Sequence, residues 1–424
     1  MATFEDFNLD PIILKTLQKI GYSQPTEIQE IAIPIALKGE DIIASAATGT
    51  GKTGAFLIPT IQRLLKGNKP QLGCPKVLVL VPTRELAEQV AKESGIFSAG
   101  ITKLKTVCIY GGVPYPIQQR ALSRPFDILI ATPGRLLDHI ERRRIDLSQV
   151  ETLILDEADR MLDMGFVDDV KYIASLIPLE RQTMLFSATL DQKIISFSKQ
   201  LQNNPHEIRI KATQASMPRI DQTLYIVDDL GHKVRLLEHI LLNTEIDQVI
   251  VFTSTKSQAN RLSEELNEKG HHTAALHGDK TQRQRTKTLD SMRQGKTRIL
   301  VATDVASRGI DVPTISHVIN FDLPQQAEDF IHRIGRTGRA GRSGSAITFA
   351  SRREQHWLPR IEKMTGCTPV LATIEGLEPR QQARTSDPSS RKPQNRQGPA
   401  RFGFGGGNKR KSNAQRPPFA RSRG

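Results

Sequence analysis

The stretch AATGTGKT (Ala46–Thr53) places two glycines directly ahead of a lysine and a threonine. A glycine-rich turn that enters a helix exposes backbone N–H groups, and these donors together with the helix dipole hold phosphate oxygens. Thr48, Gly49, Thr50 and Gly51 would cradle the phosphates of ATP, Lys52 would reach the β- and γ-phosphates, and the Thr53 hydroxyl would ligate Mg2+. Ala46 stands where a first glycine is usual. Farther along, the tetrad DEAD (156–159) opens with two adjacent carboxylates. Asp156 is assigned to the metal and Glu157 to orienting and deprotonating the attacking water. Arg333, Arg336 and Arg339 recur every third residue in HRIGRTGR (332–339). A guanidinium fork stays charged and binds two phosphate oxygens, which suits the charge that shifts when a γ-phosphoryl group is transferred. Each feature alone has a plainer reading: a Gly-rich turn, a solvated acidic turn, an exposed basic helix face. In combination and in this order they describe ATP hydrolysis across a cleft between two domains.

The elements that must carry these residues are legible as apolar runs. DIIASA (41–46), KVLVLVP (76–82), FDILIATP (126–133), TLILD (152–156) and TMLFSAT (183–189) are near-continuous, as strands buried on both faces of a parallel sheet are. QVIVFTST (248–255), TAALHG (273–278), RILVATD (298–304), HVINFD (317–322) and SAITFA (345–350) repeat the pattern. Helical periodicity ending in glycine marks 257–270 and 282–295, and a helix is expected from Lys52. Strand–helix alternation twice over predicts an α/β chain with two tandem parallel-sheet domains, 1–210 and 219–375, joined by a short polar linker at 211–218.

The chain has 424 residues and a net charge of +14. The 45 residues from Arg380 to Gly424 hold twelve cations against Asp387 alone, so +11 of that charge sits there and only +3 in the first 379 residues. From residue 376 onward the composition is Arg, Gly, Pro, Ser and Gln with few aliphatics, which predicts a disordered basic tail. Phe402, Phe404 and Phe419 interleave with its arginines, the composition of a flexible nucleic-acid-binding segment. No apolar run is long enough for a bilayer, and MATFEDFNLD lacks the features of a signal peptide. Cys74, Cys108 and Cys367 have no paired spacing, which argues against a disulfide framework or a zinc site and fits a reducing cytoplasm.

With these residues placed, residues 1–375 resemble a DEAD-box RNA helicase, because further motifs appear in that family's order: GYSQPTEIQ (21–29), PTRELA (82–87), Gly111–Gly112, TPGR (132–135), SAT (187–189), VFTST (251–255) and ATDVASRGID (302–311). DEADRMLDMGF (156–166) and RLLDHI (135–140) resemble the bacterial RhlE type. The resemblance implies two RecA-like domains. It implies that Gln29 pairs with the adenine edge, as glutamine reads adenine in DNA, and that Phe4 stacks on the base. It makes Arg336 and Arg339 the arginine fingers, places Asp311 at the ribose, and has His332 link the second domain to the DEAD segment. Ser187 and Thr189 would couple hydrolysis to strand separation, and Arg84, Gly112, Thr132, Arg135 and Thr303 would lie along the RNA backbone.

The function so implied is RNA-stimulated ATP hydrolysis that closes the two domains and unwinds RNA locally, without processive movement. The partner is single-stranded or duplex RNA read by shape and backbone, with ribosomal particles or RNA-decay proteins as further partners, no membrane, and a monomeric enzyme. Two other readings stay open on the residues alone: a DNA translocase, and an ATP-gated RNA clamp for which unwinding is incidental.

Overall fold

Apolar runs become strands wherever both sheet faces are covered. The computed structural model describes residues 3–46, 49–210, 220–243, 246–304, 312, 314–324, 326–338 and 343–380. The first sheet comprises β1 (Ile42–Ser45), β2 (Val77–Leu80), β3 (Thr106–Ile109), β4 (Ile128–Ala131), β5 (Thr152–Leu155), β6 (Gln182–Ser187) and β7 (His206–Arg209), in the order β3-β4-β2-β5-β6-β1-β7. The second comprises β8 (Ile220–Val227), β9 (Gln248–Phe252), β10 (Thr273–Leu276), β11 (Ile299–Ala302), β12 (Ile315–Asn320), β13 (Gly344–Ser351) and β14 (Val370–Leu371), in the order β10-β11-β9-β12-β13-β8-β14. Every pairing is parallel. Numbered from the start of its own sheet, each half has the same strand order, so the fold is one RecA-like unit used twice. The expected linker, 211–218, lies outside the described residues.

Alternation along the strands divides the first core in two. In the first half Ile42, Ala44, Val77, Val79, Met184 and Phe186 enter one cluster, where Phe56 meets Phe186 with ring centroids 5.3 Å apart. Ile43, Leu78, Leu80, Leu153, Leu155 and Leu185 enter the cluster on the opposite face. All four residues of β2, β4 and β5 are buried, which is why these strands read as unbroken apolar runs. The strands that no such run announced are β3, β7, β8 and β14. They lie at or toward sheet edges and keep partly or fully exposed positions.

The packed chain runs past the expected domain end at 375. Leu377 packs on the second core, its carbonyl is 2.8 Å from His232 Nε2, and the Arg380 N–H donates to Asp228 at 2.8 Å. The tail expected from 376 is therefore corrected for residues 376–380, because one apolar side chain and two hydrogen bonds suffice to hold them. The remainder of that tail, from 381, lies outside the described residues. No helix among the described residues is long and apolar enough to cross a membrane.

Parallel topology positions the site. Every strand of a parallel sheet ends at the same rim, so the loops after the strands converge there. In the first half the loops after β1, β5 and β6 carry Ala46–Thr53, Asp156–Glu157 and Ser187–Thr189, and these strands are neighbours in the order β5-β6-β1. The loops after β3, β4 and β2 carry Gly111–Gly112, Thr132–Arg135 and Thr83–Arg84, in the order β3-β4-β2. The strand order thus sorts the residues expected at ATP to one side of the rim and those expected at RNA to the other.

Candidate active site and nucleic-acid interface

The phosphate-loop turn enters the helix Lys52–Lys66 through Gly51, whose φ is +92°. Only glycine adopts that conformation without strain, and a Cβ there would lie 2.6 Å from Gln29 Nε2 and 2.9 Å from Thr26 Oγ1. Gln29 is 1% exposed. Its Nε2 donates to the Gly51 carbonyl at 3.0 Å, and its Oε1 accepts from the Thr26 N–H at 3.0 Å. The glutamine thereby caps its own helix and clamps the phosphate loop. The expected pairing with an adenine edge would exchange these two bonds for others. Lys52 is buried and its ammonium donates to the Ala46 carbonyl at 2.9 Å, across the loop. Thr53 is half-buried in the first turn of the helix. Thr48, Asp311 and Arg339 lie outside the described residues.

Phe4 is only 4% exposed, against Phe7 and Tyr22 with centroids 6.0 and 6.3 Å away. Its ring belongs to the first core, so an incoming base stacks on it only if a neighbour shifts.

Beyond β5, Asp156 is 3% exposed, and burial pushes its carboxyl up to about 7, with Lys52 opposing and Glu157 adding to the rise. Glu157 behaves oppositely. Burial opposes its charge, but Arg160, Arg336 and Lys52 outweigh burial and hold its carboxyl below the ordinary value. Two adjacent carboxylates are driven apart, which is how a site obtains two roles from one residue type. Glu157 adopts φ 54° and ψ 50°, the left-handed region that costs a non-glycine residue about 1–2 kcal/mol. Arg160 Nη1 donates to Glu157 Oε2 at 2.9 Å, and Arg160 itself is 1% exposed, with Nη2 unpaired. Asp159 Oδ2 accepts from the Ala188 N–H at 3.0 Å, while Ser187 Oγ accepts from the Thr189 N–H at 3.3 Å. The tetrad and the segment after β6 are thus joined by a hydrogen bond.

From the second half of the chain come the arginines. Arg336 is 5% exposed, lies near enough to Glu157 to stabilise its charge, and donates from Nε to the carbonyl of half-buried His332 at 3.1 Å. Arg333 corrects the three-arginine pattern. It turns inward, donating from Nε and Nη2 to Asp304 at 2.6 and 2.7 Å and from Nη1 to the Asp322 carbonyl at 2.6 Å. A guanidinium with that many partners braces the second sheet and is unavailable to a phosphate.

On the other side of the rim, Arg84 rests against the two glycines after β3. A Cβ on Gly112, where φ is +87°, would lie 2.3 Å from Arg84 Nη1. Gly112→Ala is therefore expected to displace Arg84, to cost about 1–2 kcal/mol of stability through the left-handed backbone, and to weaken RNA binding. Anisotropy titration and thermal melting measure the two effects. Thr132 and Thr303 occupy one position of the duplicated fold. Each follows the last residue of its strand, β4 or β11. Each is 8% exposed and donates its N–H at 3.2 Å to the end of the neighbouring strand, Ile109 or Leu276. The duplication also exposes a residue the sequence reading missed. Thr83 caps the helix Arg84–Phe97, and Thr255 caps Lys256–Glu268 with the same backbone geometry. Lys256 thus corresponds to Arg84, and it packs on Gly278, whose Cβ would lie 3.5 Å from Lys256 Cε. The signal was the repeated pair Thr-Arg and Thr-Lys after equivalent strands.

The halves also meet directly. Arg285 donates from Nε to Glu85 Oε1 at 2.7 Å, with both side chains 7% exposed, and Gln282 Nε2 donates to Glu88 Oε1 at 3.4 Å. Glu85 follows Arg84 in the chain, so this ion pair ties the second half to a residue beside the expected RNA contact.

Residues 26–197 match the DEAD/DEAH box helicase family, and residues 232–341 match the helicase conserved C-terminal domain. The chain is similar to the ATP-dependent RNA helicase SrmB of Haemophilus influenzae, 42% identical over 90% of this chain and 87% of that protein. It is similar to the ATP-dependent RNA helicase DeaD of Mycobacterium tuberculosis, 44% identical over 91% of this chain and 68% of the other. Among solved structures, S. cerevisiae Dbp5 bound to RNA and ADP BeF3 superposes with a TM-score of 0.79 at 32% identity, covering 88% of this chain and 96% of that one. Motif order, a duplicated RecA-like fold and relatives aligned over most of both lengths converge: the chain belongs to the DEAD-box ATP-dependent RNA helicases.

Proposed function

We propose that ATP is bound at the rim of the first half and hydrolysed only when Arg336 of the second half completes the pocket. The observation that carries this is the electrostatic reach of Arg336 to Glu157 across the two halves. Lys52 and the loop Gly49–Gly51 would hold the phosphates, Gln29 and Phe4 the base. Glu157, kept ionised by three cations, would orient and deprotonate the attacking water. Asp156 and the Thr53 hydroxyl form an all-oxygen donor set of the kind Mg2+ prefers, and a carboxyl raised to about 7 by burial gains its charge when a divalent cation lies beside it. When bound, Mg2+ supplies neutralising charge to the phosphates. Arg339 would add a second guanidinium and Asp311 a ribose contact.

On the other side of the rim, Arg84, Gly112, Thr132, Arg135, Thr303 and Lys256 would follow one RNA strand through its phosphates and 2′-hydroxyls, without reading bases. Dbp5, a structural neighbour, is bound to RNA and ADP BeF3, which supports joint occupancy by RNA and nucleotide. ATP and RNA would close the halves to the degree that the closed form binds both better, so each should tighten the other. Closure would strip one strand from a short duplex, and hydrolysis would reopen the cleft. Strand displacement of a labelled RNA duplex tests this reading, with ATPase stimulation compared between RNA and DNA oligomers of one sequence. Equal stimulation by DNA, or ATP-dependent RNA retention without displacement, would overturn it.

Glu85→Ala leaves Arg285 buried without its carboxylate, which costs about 3–5 kcal/mol when the charge stays buried. The cost is escaped by opening, so the RNA concentration for half-maximal ATPase should rise. The double swap Glu85→Arg with Arg285→Glu should recover part of it, and a swap no better than the single change would remove the pair from closure. Deleting 381–424, which carries eleven cations against Asp387, should weaken RNA affinity and flatten its salt dependence through lost counterion release. The ATPase rate at saturating RNA should stay unchanged; a lower rate there would tie the tail to catalysis.

A further inference from the structure

We propose that Tyr115 and Arg142 extend the nucleic-acid interface of the first half: Tyr115 holds two arginines on one ring, and Arg142 makes an additional contact to a phosphodiester of the bound strand. The inference rests on the reading of Arg135 as a backbone contact.

Tyr115 follows Gly111–Gly112 at the rim and opens the helix Tyr115–Leu122. The guanidinium carbons of Arg135 and Arg142 lie 4.5 and 4.4 Å from its ring centroid. Its hydroxyl donates to Asp138 Oδ2 at 2.7 Å, and the same oxygen lies 3.5 Å from Arg135 Nε. Arg135 Nη1 donates to the Val113 carbonyl at 2.9 Å. One arginine is therefore fixed by a ring, a carboxylate and a carbonyl.

Arg142 is held differently. It is exposed, caps the helix Pro133–Glu141 two turns after Arg135, and has the Tyr115 ring as its partner. No carboxylate among the described residues lies within ion-pair distance of it, Glu141 included. A guanidinium whose face rests on an aromatic ring loses rotamer freedom and keeps its in-plane N–H donors for an anion. The charge around the ring is unbalanced, with two guanidiniums against Asp138. The histidine beside the ring adds none. His139 is fully buried, its ring centroid lies 5.6 Å from that of Tyr115 in an edge-on arrangement, and its Nε2 is 3.1 Å from Gln118 Oε1. Gln118 uses its Nε2 to donate to the Tyr110 carbonyl at 2.7 Å, so its Oε1 accepts and His139 Nε2 carries the proton of a neutral ring. Burial first, then Arg135, depress the His139 pKa and keep it neutral. A surplus cation, pre-ordered on the ring that also holds Arg135, fits the next phosphate of a strand gripped by Arg135.

The test is anisotropy of a labelled short oligouridine with full-length protein and saturating non-hydrolysable ATP analogue, across a salt series. Arg142→Ala should weaken binding roughly three- to tenfold and reduce the salt slope by about 0.7, the value for one phosphate contact on a single strand. Arg142→Lys should restore the slope and part of the affinity, since it returns the charge without the fork. Tyr115→Phe, which keeps the ring but loses the bond to Asp138, should bind better than Tyr115→Leu. Tyr115→Leu should lose affinity, and adding Arg142→Ala to it should cost little more. An Arg142→Ala protein with wild-type affinity and slope overturns the proposal, even where Tyr115→Leu fails to fold. Additive losses in the double variant remove Tyr115 from the positioning role. Arg135→Ala separates the two readings: unchanged binding there sinks the backbone role of Arg135, whereas weakened binding there beside an unaffected Arg142→Ala sinks only the extension.

Discussion

Arg336→Ala is expected to leave ATP binding intact and to lower RNA-stimulated turnover by about 10³–10⁵-fold, the worth of an arginine that meets a transferring phosphoryl group. The size follows from its position. Arg336 is almost completely buried, its Nε is anchored on the His332 carbonyl, and its charge is felt at Glu157 in the other half of the chain. Alanine removes both the cation that would stabilise the migrating charge and one of the three cations that keep Glu157 ionised. Arg336→Lys distinguishes these losses, because lysine preserves a charge near Glu157 but has no planar fork. Lysine should recover only a small part of the rate. Single-turnover hydrolysis at saturating RNA, beside titration with a fluorescent ATP analogue, gives the two quantities separately. Turnover within a few-fold of wild type would show that the pocket is complete without the second half.

Glu157→Gln should lower the hydrolysis rate by about 10²–10⁴-fold, the usual contribution of a positioned general base. ATP and RNA should still bind, and the complex should persist, since closure precedes hydrolysis in the proposed cycle. The glutamine was chosen for a structural reason. Glu157 Oε2 accepts from Arg160, which is 1% exposed and already has one unpaired nitrogen. Glu157→Ala would strand that buried guanidinium and destabilise the first half by about 3–5 kcal/mol, so a lost rate would be ambiguous. Glutamine keeps an acceptor for Arg160 while discarding the basic oxygen. A chase experiment that follows RNA release after ATP addition reads the outcome. Fast release from Glu157→Gln, or hydrolysis near the wild-type rate, would take the water-activating role away from this residue.

Both variants concern residues whose identity was visible in the chain and whose surroundings were not. The ten apolar runs became strands, most of them covered on both faces, where apolar residues are needed at every position, while β10 at a sheet edge is only half-buried. By contrast, β8 has a half-exposed pattern and pairs with β13 across more than a hundred residues of chain. Alternation that mixed was not separable from loop. Arg333 illustrates the same limit at the site. It shares its spacing with Arg336, yet Asp304, Asn320 and the Asp322 carbonyl draw it into the second sheet. Phe4, expected under a base, also packs against Phe7 and Tyr22, a burial its place in the chain did not announce.

What the chain alone determined was local: the glycine that permits a left-handed turn before Lys52, the apolar runs, the adjacent carboxylates and the family they announce. These depend on backbone freedom and side-chain chemistry within a few residues. Tertiary structure decided the rest. It set the strand order that parts the residues expected at ATP from those expected at RNA, the burial that raises Asp156 and the cations that outweigh the same burial at Glu157, and the pairing of Arg285 with Glu85 and of Arg142 with Tyr115. Charge and burial are sums over neighbours brought together from distant segments, so spacing along the chain could not supply them.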